Sequence, residues 1–99
     1  MPVGRRRYLI GYDIRDEKRL RKVHKIVKAH GFPLQYSLFL GDLDGVEFNG
    51  LRSELVAAVD LSIDEVVFVD LGMADEDSER RFSFLGPHPE LPRRRATII

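Results

Sequence analysis

Asp13 is the residue of this sequence whose chemistry is least explained by its local surroundings. It ends the stretch Tyr8 to Asp13, whose alternating side chains predict a strand. Asp16 and Glu17 can cap the helix that follows and complement its positive end, so Asp13 is not needed there. A carboxylate at the carboxyl end of a central strand faces the region where sheet-based sites commonly form. With a divalent ion, it could serve phosphodiester hydrolysis by an activated water.

The metal hypothesis for Asp13 depends on a second copy of the chain. Mg²⁺ sites usually combine one or two carboxylates with water and phosphate oxygens, so one aspartate per chain is a poor site. Two Asp13 side chains about 4 Å apart across a two-fold axis would repel by roughly 4 kcal/mol at an effective dielectric of about 20. Such a pair either shares a proton or recruits a cation. The simpler alternative is that Asp13 caps a loop or pairs with Arg15 or Arg19.

A dense row of cations on the next predicted helix is the second candidate feature. The apolar side of this helix carries Leu20, Val23, Ile26 and Val27, and Gly31 is a natural stop. Its other side is either an ordinary solvated surface or a contact for the phosphates of a nucleic acid. Arginine triplets at 5–7 and 93–95 could extend that surface. The cations on the helix are Lys18, Arg19, Arg21, Lys22, Lys25 and Lys28.

Other common catalytic chemistries have no support in the sequence. Cysteine is absent, which excludes disulfides, thiolate zinc sites and thiol nucleophiles. There is no Gly-x-Ser-x-Gly motif, glycine-rich phosphate loop or His-x-x-x-His pair. We interpret His24, His30 and His88 as residues at the rim of a helix or loop, not as ligands or bases.

The charge of the chain is zero only as a sum. Its 99 residues carry 16 Lys and Arg against 16 Asp and Glu. Residues 1–31 hold ten cations against three anions, and residues 32–92 hold three against thirteen. Neutrality therefore does not exclude a nucleic-acid partner. No apolar run approaches the roughly 20 residues that span a bilayer, so we expect a soluble, cytoplasmic protein without a membrane partner.

The predicted elements that position these residues follow the order of a ferredoxin-like α+β sandwich, βαββαβ, with an extra C-terminal strand. Two helices on one face leave the other face of the sheet bare, which predicts a homodimer through that face. We expect a single domain over residues 1–86 and a tail over 87–99. After the first strand and helix, the predictions are a strand Leu34 to Leu40, a turn Gly41 to Gly45, a helix Phe48 to Asp60, a strand Val66 to Leu71, an acidic loop Asp75 to Glu79 and a short strand Arg81 to Leu85.

Three segments together resemble the CRISPR-associated protein 2 family, the small subunit of the spacer-acquisition machinery. They are Tyr12-Asp13-Ile14, the basic helix up to Gly31, and Gln35-Tyr36-Ser37-Leu38-Phe39. Val67 to Gly72 and Phe84-Leu85-Gly86 are similar to its later strands. The resemblance covers roughly residues 8–86 and is strongest before Gly41.

The resemblance implies a ferredoxin-like homodimer whose C-terminal segment, Arg81 to Leu85 or Ala96 to Ile99, adds a strand to the partner's sheet. It implies a nuclease acting on single-stranded RNA or double-stranded DNA, with Mg²⁺ held by Asp13 and Mn²⁺ as a possible substitute. It also assigns residues at the site by position. Those for nucleic-acid contact are Arg19, Arg21, Lys22 and Lys25, and those beside the dimer site are Tyr12, Ser37 and Phe39.

Two alternative functions also fit these residues. By the same resemblance, the dimer could be a non-catalytic scaffold that bridges dimers of the CRISPR integrase, CRISPR-associated protein 1, and binds protospacer DNA. The chain could instead be an RNA-binding module that uses aromatic side chains of its sheet. The Gly-flanked aromatic motif of such modules is missing, and Tyr8, Tyr12 and Tyr36 better suit the core or a dimer face.

Overall fold

The computed structural model describes residues 4–92, apart from the side chains of residues 76–78. Its sheet has four antiparallel strands in the order β2-β3-β1-β4, which confirms the ferredoxin-like βαββαβ fold. The elements are β1 (Arg6–Asp13), α1 (Glu17–His30), β2 (Phe32–Gln35), β3 (Leu38–Leu43), α2 (Gly45–Ala58), β4 (Glu65–Met73) and a 3₁₀ helix (Glu76–Arg81).

Both helices pack on one side of the sheet, and the core lies between the two layers. Residues alternate along β1, so Ile10 points into the core whereas Leu9 and Gly11 belong to the outer face, the side away from the helices. The burial of complete aliphatic side chains here, at about 1.5 to 3 kcal/mol each, is the main stabilising contribution. The most deeply buried members of the core are Ile10, Val23, Val27, Phe39 and Leu51.

Both helices begin where an aspartate supplies a cap. The Asp16 carboxylate accepts a hydrogen bond from the backbone N–H of Arg19, so Asp16 is the cap, as predicted. Helix α1 therefore starts at Glu17. Asp44 forms a capping box with Glu47, which starts α2 at Gly45 and not at the predicted Phe48. A carboxylate oxygen therefore satisfies an otherwise unpaired N–H at each helix start.

Gly31 ends α1 for a reason other than a left-handed cap. Its φ of −144° is extended backbone, which any residue adopts. A Cβ built on Gly31 would lie 2.8 Å from the carbonyl oxygen of Leu40. Glycine is required because the chain passes this close to the backbone of β3.

The predicted single strand Leu34 to Leu40 is wrong, because the chain folds there into the hairpin of β2 and β3. A turn at residues 36–37 separates the two strands. The predicted turn over Gly41 to Gly45 is also wrong at its start, because β3 continues to Leu43 and Gly41 pairs with Tyr8 of β1. A run of strand-forming residues without Gly or Pro at the turn gives no local signal of reversal.

Residues 82–92 lie over the outer face of the sheet, and they contain no strand. Within this chain the predicted strand Arg81 to Leu85 does not form, since the 3₁₀ helix ends at Arg81 and irregular backbone follows. The addition of this segment to a partner's sheet stays a prediction. Phe82 and Phe84 border a cleft of about 380 Å³ whose other wall includes Leu9 and Leu38. Ala96 to Ile99 lies outside the described residues, and the division at residue 86 stays a prediction. Among the described residues, no helix is both long enough and apolar enough to cross a membrane.

Candidate metal and nucleic-acid site

Asp13 stands at the carboxyl end of β1 with its side chain in solvent. The side chain is 66% exposed, and Nη2 of Arg15 lies 3.8 Å from its Oδ2. Alternation along β1 places Asp13 on the outer face, where its partner in the β1–β4 ladder is Glu65, which is also exposed. The structure therefore gives Asp13 a loose cationic neighbour and an opposing carboxylate, and its carboxylate oxygens remain accessible.

The donor set at Asp13 fits a hard, largely hydrated cation. Mg²⁺ keeps several waters and binds through one or two carboxylates, so exposed oxygen ligands suit it. Within residues 4–75 and 79–92, no three side chains of the types that ligate metals cluster together. Asp13 is thus a fitting ligand for Mg²⁺, and one chain does not build a closed metal cage around it.

Tyr12 fixes the residue before Asp13 to two other elements. Its backbone N–H donates to the carbonyl oxygen of Ser37 at 3.2 Å, and its hydroxyl lies 2.8 Å from Nδ1 of His24 on α1. The same hydroxyl is 3.3 Å from the carbonyl oxygen of Tyr36. Burial raises the pKa of the Tyr12 phenol. The end of β1 is therefore anchored to both the hairpin turn and α1.

Phe39 lies on the helix side of the sheet, like Tyr12. It is 1% exposed, and its ring packs near Tyr12 and His24 with centroids 6.3 and 5.6 Å away. His24 also stacks on Tyr36 at 5.4 Å, so it is half-buried with partners instead of lying free at a rim. A role for Tyr12, Ser37 and Phe39 beside a dimer site stays a prediction.

Asp64 fixes the residues after Asp13, and sequence reasoning missed it. Its side chain is completely buried, and Oδ2 accepts from Nε of Arg19 at 2.7 Å while Oδ1 accepts from the backbone N–H of Arg15 at 2.9 Å. These bonds, with the Arg19 guanidinium as the largest cause, hold the pKa of the Asp64 carboxyl well below its usual range. The sequence offers one aspartate ahead of an apolar strand, which does not reveal a partner 45 residues away.

The cations of α1 separate into one that is engaged internally and five that face solvent. Arg19 is bound by Asp64 and is 28% exposed. Arg21 makes only an exposed pair with Glu17, at 3.1 Å, which contributes little to stability. The five exposed cations form the basic face of α1, which consists of Lys18, Arg21, Lys22, Lys25 and Lys28.

The aromatic side chains of the central strands do not form a surface for stacking bases. Tyr8, Tyr12 and Phe39 of β1 and β3 all pack on the helix side, where Tyr8 stacks on Phe48 with centroids 4.4 Å apart. On the outer face, these two strands present aliphatic, glycine and charged residues. An RNA-binding module that reads bases on its sheet needs aromatics on that open face, so the described part of the chain does not support this alternative.

A buried arginine also lies on the outer face. Arg7 is fully buried and donates to both carboxylate oxygens of Asp42, at 2.7 and 2.9 Å. Its Nη2 also donates to the carbonyl oxygen of Pro92 at 2.9 Å. The Asp42 carboxylate is the main reason that the pKa of Arg7 is raised. This pair ties the end of the described chain to the sheet.

The fold and the site define a ferredoxin-like α+β protein with an exposed acidic residue at the end of its first strand and a basic helix beside it. The family model described as CRISPR associated protein Cas2 matches residues 6–78. The chain therefore belongs to the CRISPR-associated protein Cas2 family.

Individual relatives agree with this assignment. The chain is 39% identical over 92 residues to the "CRISPR-associated endoribonuclease Cas2 1" of Rhodospirillum rubrum, covering 93% of this chain and 89% of that protein. It is 30% identical over 92 residues to a protein of Geobacter sulfurreducens named "CRISPR-associated endoribonuclease Cas2", covering 93% and 96% of the two chains.

Solved structures share the fold. The crystal structure of Streptococcus pyogenes Cas2 superposes with a TM-score of 0.71 at 30% identity, covering 81% of this chain and 99% of that one. A hypothetical protein from Thermus thermophilus superposes with a TM-score of 0.75 at 28% identity, covering 88% and 98%.

Proposed function

We propose that this chain is a CRISPR adaptation protein that acts as a homodimeric, Mg²⁺-dependent endonuclease with Asp13 as the metal ligand. The observation that carries the proposal is the placement of Asp13: its carboxylate is exposed, while Tyr12 and Arg15 on either side of it are hydrogen-bonded to other elements. A ligand on a flexible backbone would lose affinity on ordering, and the backbone on both sides of Asp13 is already held. The names of both relatives, as endoribonucleases, support a nuclease.

A homodimer through the outer face would supply the second Asp13 carboxylate that one chain lacks for a metal site. Val67 and Val69 of β4 are 50% and 42% exposed there, and Leu9 and Leu38 lie on the same face. Residues 82–89 lie beside Leu9 and Leu38 on this face, and the apolar side chains that stay exposed on β4 favour burial against a second copy. Asp13 stands at the end of this face, so a two-fold axis near it would bring two Asp13 carboxylates together around one cation.

The roles of the chain's own residues follow from this arrangement. When bound, Mg²⁺ or Mn²⁺ supplies Lewis-acid activation of a phosphodiester. Asp13 holds the cation, and Tyr12 anchors the backbone on the N-terminal side of Asp13. The basic face attracts the phosphates of the substrate and retains it. Since none of these contacts reads a base, single-stranded RNA and double-stranded DNA are both substrates to be tried.

The direct experiment compares cleavage of single-stranded RNA and duplex DNA by the wild-type chain and the variant Asp13→Asn, with Mg²⁺ or with a chelator. We expect Mg²⁺-dependent cleavage by the wild type and none above background by Asp13→Asn. Glu54→Gln is the matched control, because it also neutralises an exposed carboxylate but lies on α2, beside His30. Undiminished cleavage by Asp13→Asn, or equal cleavage in chelator, refutes the nuclease proposal.

The basic face favours a second candidate function, that of a scaffold which binds protospacer DNA and bridges dimers of the CRISPR integrase, CRISPR-associated protein 1. Its five cations step along one side of α1 at spacings of three and four residues. Phosphate contacts of this kind give affinity without requiring catalysis. The two functions are compatible, because a dimer that bridges integrase subunits can retain a metal site.

Salt dependence tests the scaffold function separately from cleavage. Lys25→Glu should weaken duplex binding and flatten the dependence of log K on log salt by about one unit for each phosphate that the protein no longer neutralises. Arg52→Glu on α2 is the matched control, since it makes the same charge reversal at an exposed helix position away from the basic face. Equal losses of affinity in both variants would mean that overall charge, and not this surface, holds the DNA. Co-purification with the integrase checks the bridging role.

A further inference from the structure

Asp64 is the most completely coordinated side chain near the candidate site. Its two oxygens accept four hydrogen bonds, and the side chain is 0% exposed. The donors are Nε of Arg19 at 2.7 Å, Nη2 of Arg19 at 3.2 Å, the backbone N–H of Arg15 at 2.9 Å and the backbone N–H of Asp60 at 2.8 Å. A carboxylate has about four acceptor positions, so Asp64 is saturated. This removes its carboxylate as a direct ligand for substrate or metal.

The four bonds join three separate segments of the chain. Asp60 and Asp64 belong to the loop between α2 and β4, Arg15 to the loop between β1 and α1, and Arg19 to the first turns of α1. A buried carboxylate with an arginine and backbone donors is held far more strongly than an exposed ion pair. The junction therefore fixes the β1–α1 loop and the start of α1 against the loop that precedes β4.

Asp13 is two residues from one of these bonds. The N–H of Arg15 is held by Asp64 on one side, and the N–H of Tyr12 is held by Ser37 on the other. Only Ile14 separates Asp13 from Arg15 along the chain, and Ile14 is itself buried. Errors of about 1 Å in the placement of a reacting group can cost a hundredfold in rate. Loss of the Asp64 bond would release the C-terminal side of Asp13 and leave only the Tyr12 side fixed.

We propose that Asp64, through its bonds to Arg15 and Arg19, is a positioning residue that holds the Asp13 carboxylate in place for metal binding and cleavage; the proposal rests on the nuclease function proposed above. Arg19 then serves as the structural partner of Asp64. Nucleic-acid contact is left to the basic face.

The test uses the full chain and the variant Asp64→Asn, which keeps the shape of the side chain. Its amide NH₂ cannot accept a hydrogen bond, so it removes some of the bonds that the carboxylate accepts. Asp60→Asn is the matched control: it makes the same change in the same loop, and within the described part of the chain its side chain hydrogen-bonds Ser62, at an exposed position. Arg19→Lys is a milder second variant, which keeps the charge but removes the two-point contact. It decides the question if Asp64→Asn does not fold.

The first measurement is hydrogen exchange at the backbone amide of Arg15, followed by NMR without metal or substrate. We expect exchange to accelerate about tenfold or more in Asp64→Asn, by several-fold in Arg19→Lys, and not in Asp60→Asn. The second measurement is steady-state cleavage with Mg²⁺. We expect kcat to fall by about tenfold to a hundredfold in Asp64→Asn while KM changes little.

The outcomes separate the positioning role from the function on which it rests. Unchanged exchange at Arg15 in a folded Asp64→Asn overturns the inference, and so does faster exchange with wild-type kcat. A decrease in cleavage through KM alone also contradicts it, because that pattern indicates weaker substrate binding. A wild-type chain without Mg²⁺-dependent cleavage refutes the nuclease proposal instead. In that case, the rate of exchange at the Arg15 amide in Asp64→Asn relative to the wild type still shows whether Asp64 orders the loop.

Discussion

Asp13 and Glu65 lie directly opposite each other in the antiparallel ladder of β1 and β4, and both side chains are exposed. Like charges in directly opposed positions destabilise a sheet, and such pairs differ from neutral ones by about 0.2–1 kcal/mol. The structure therefore maintains an unfavourable carboxylate pair at the end of its first strand. A bound cation would relieve the repulsion between the two side chains.

This relationship predicts that Glu65→Gln raises the free energy of unfolding in chelator at low salt, by about 0.2–1 kcal/mol. Urea denaturation measures the change. Salt provides the control, because at about 1 M the screening length is roughly 3 Å and the gain should nearly vanish. A gain that is independent of salt, or a loss of stability, would contradict the repulsion. Asp13→Asn should give a similar gain, and the two substitutions should not add.

The buried pair of Arg7 and Asp42 is predicted to be far more sensitive than an exposed pair on the same strand. Asp42→Asn leaves a fully buried guanidinium without its counter-ion, which costs about 3–5 kcal/mol of unfolding free energy. Asp70→Asn is the matched control, since it breaks the ion pair between Arg6 and Asp70. Both of these side chains are 44% exposed. Exposed ion pairs contribute little, so this loss should be small. Equal losses of unfolding free energy in the two variants, measured by urea denaturation, would show that burial does not determine how much each ion pair contributes.

Two glycines should respond to alanine with opposite signs. Gly31→Ala places a Cβ 2.8 Å from the backbone oxygen of Leu40, and we expect a loss of about 1–3 kcal/mol from the forced backbone shift. Gly50→Ala lies inside α2, where the new Cβ meets no atom within 4 Å apart from its chain neighbours and the adjacent helix backbone. We expect a gain of about 0.5–1 kcal/mol from helix propensity. Thermal or urea unfolding of the two variants measures both. A gain at Gly31 would show that β3 can move away from the loop.

The Asp64 carboxyl should make the chain sensitive to acid. Its pKa in the folded state is lowered, chiefly by the Arg19 guanidinium, whereas the unfolded chain has the ordinary value of about 3.9. Its contribution to stability is therefore complete above about pH 4. Below that value the unfolded chain takes up the proton first, and stability falls as the pH decreases towards the lowered pKa.

Urea denaturation at about pH 6 and about pH 3 measures this loss. The decrease in unfolding free energy between the two values should be smaller in Asp64→Asn than in the wild type, because the variant has no carboxyl to titrate. Other acids whose pKa is lowered, Glu47 and Asp70 among them, titrate in both proteins and cancel in the comparison. An identical decrease in the two proteins would mean that Asp64 does not contribute to acid sensitivity.

Much of the fold could be predicted because its signals are local. The strand ending at Asp13, the cap at Asp16 and the apolar stripe of α1 each depend on residues within a few positions of one another. The β2–β3 hairpin could not be predicted, since its turn at residues 36–37 lacks a glycine or proline and the true strand β3 contains Gly41. Pairing with β1, which only the folded chain supplies, decided between one long strand and two short ones.

The sequence by itself determined the α+β class, the acidic residue at the end of the first strand and the row of cations on α1, but not the β2–β3 hairpin. Only the tertiary structure decided which of those groups are available for chemistry. Asp13 stays exposed opposite Glu65, whereas Arg19 is taken by Asp64. The physical reason is that the availability of a charged group depends on desolvation and on partners brought from distant segments, and spacing along the chain encodes neither of these.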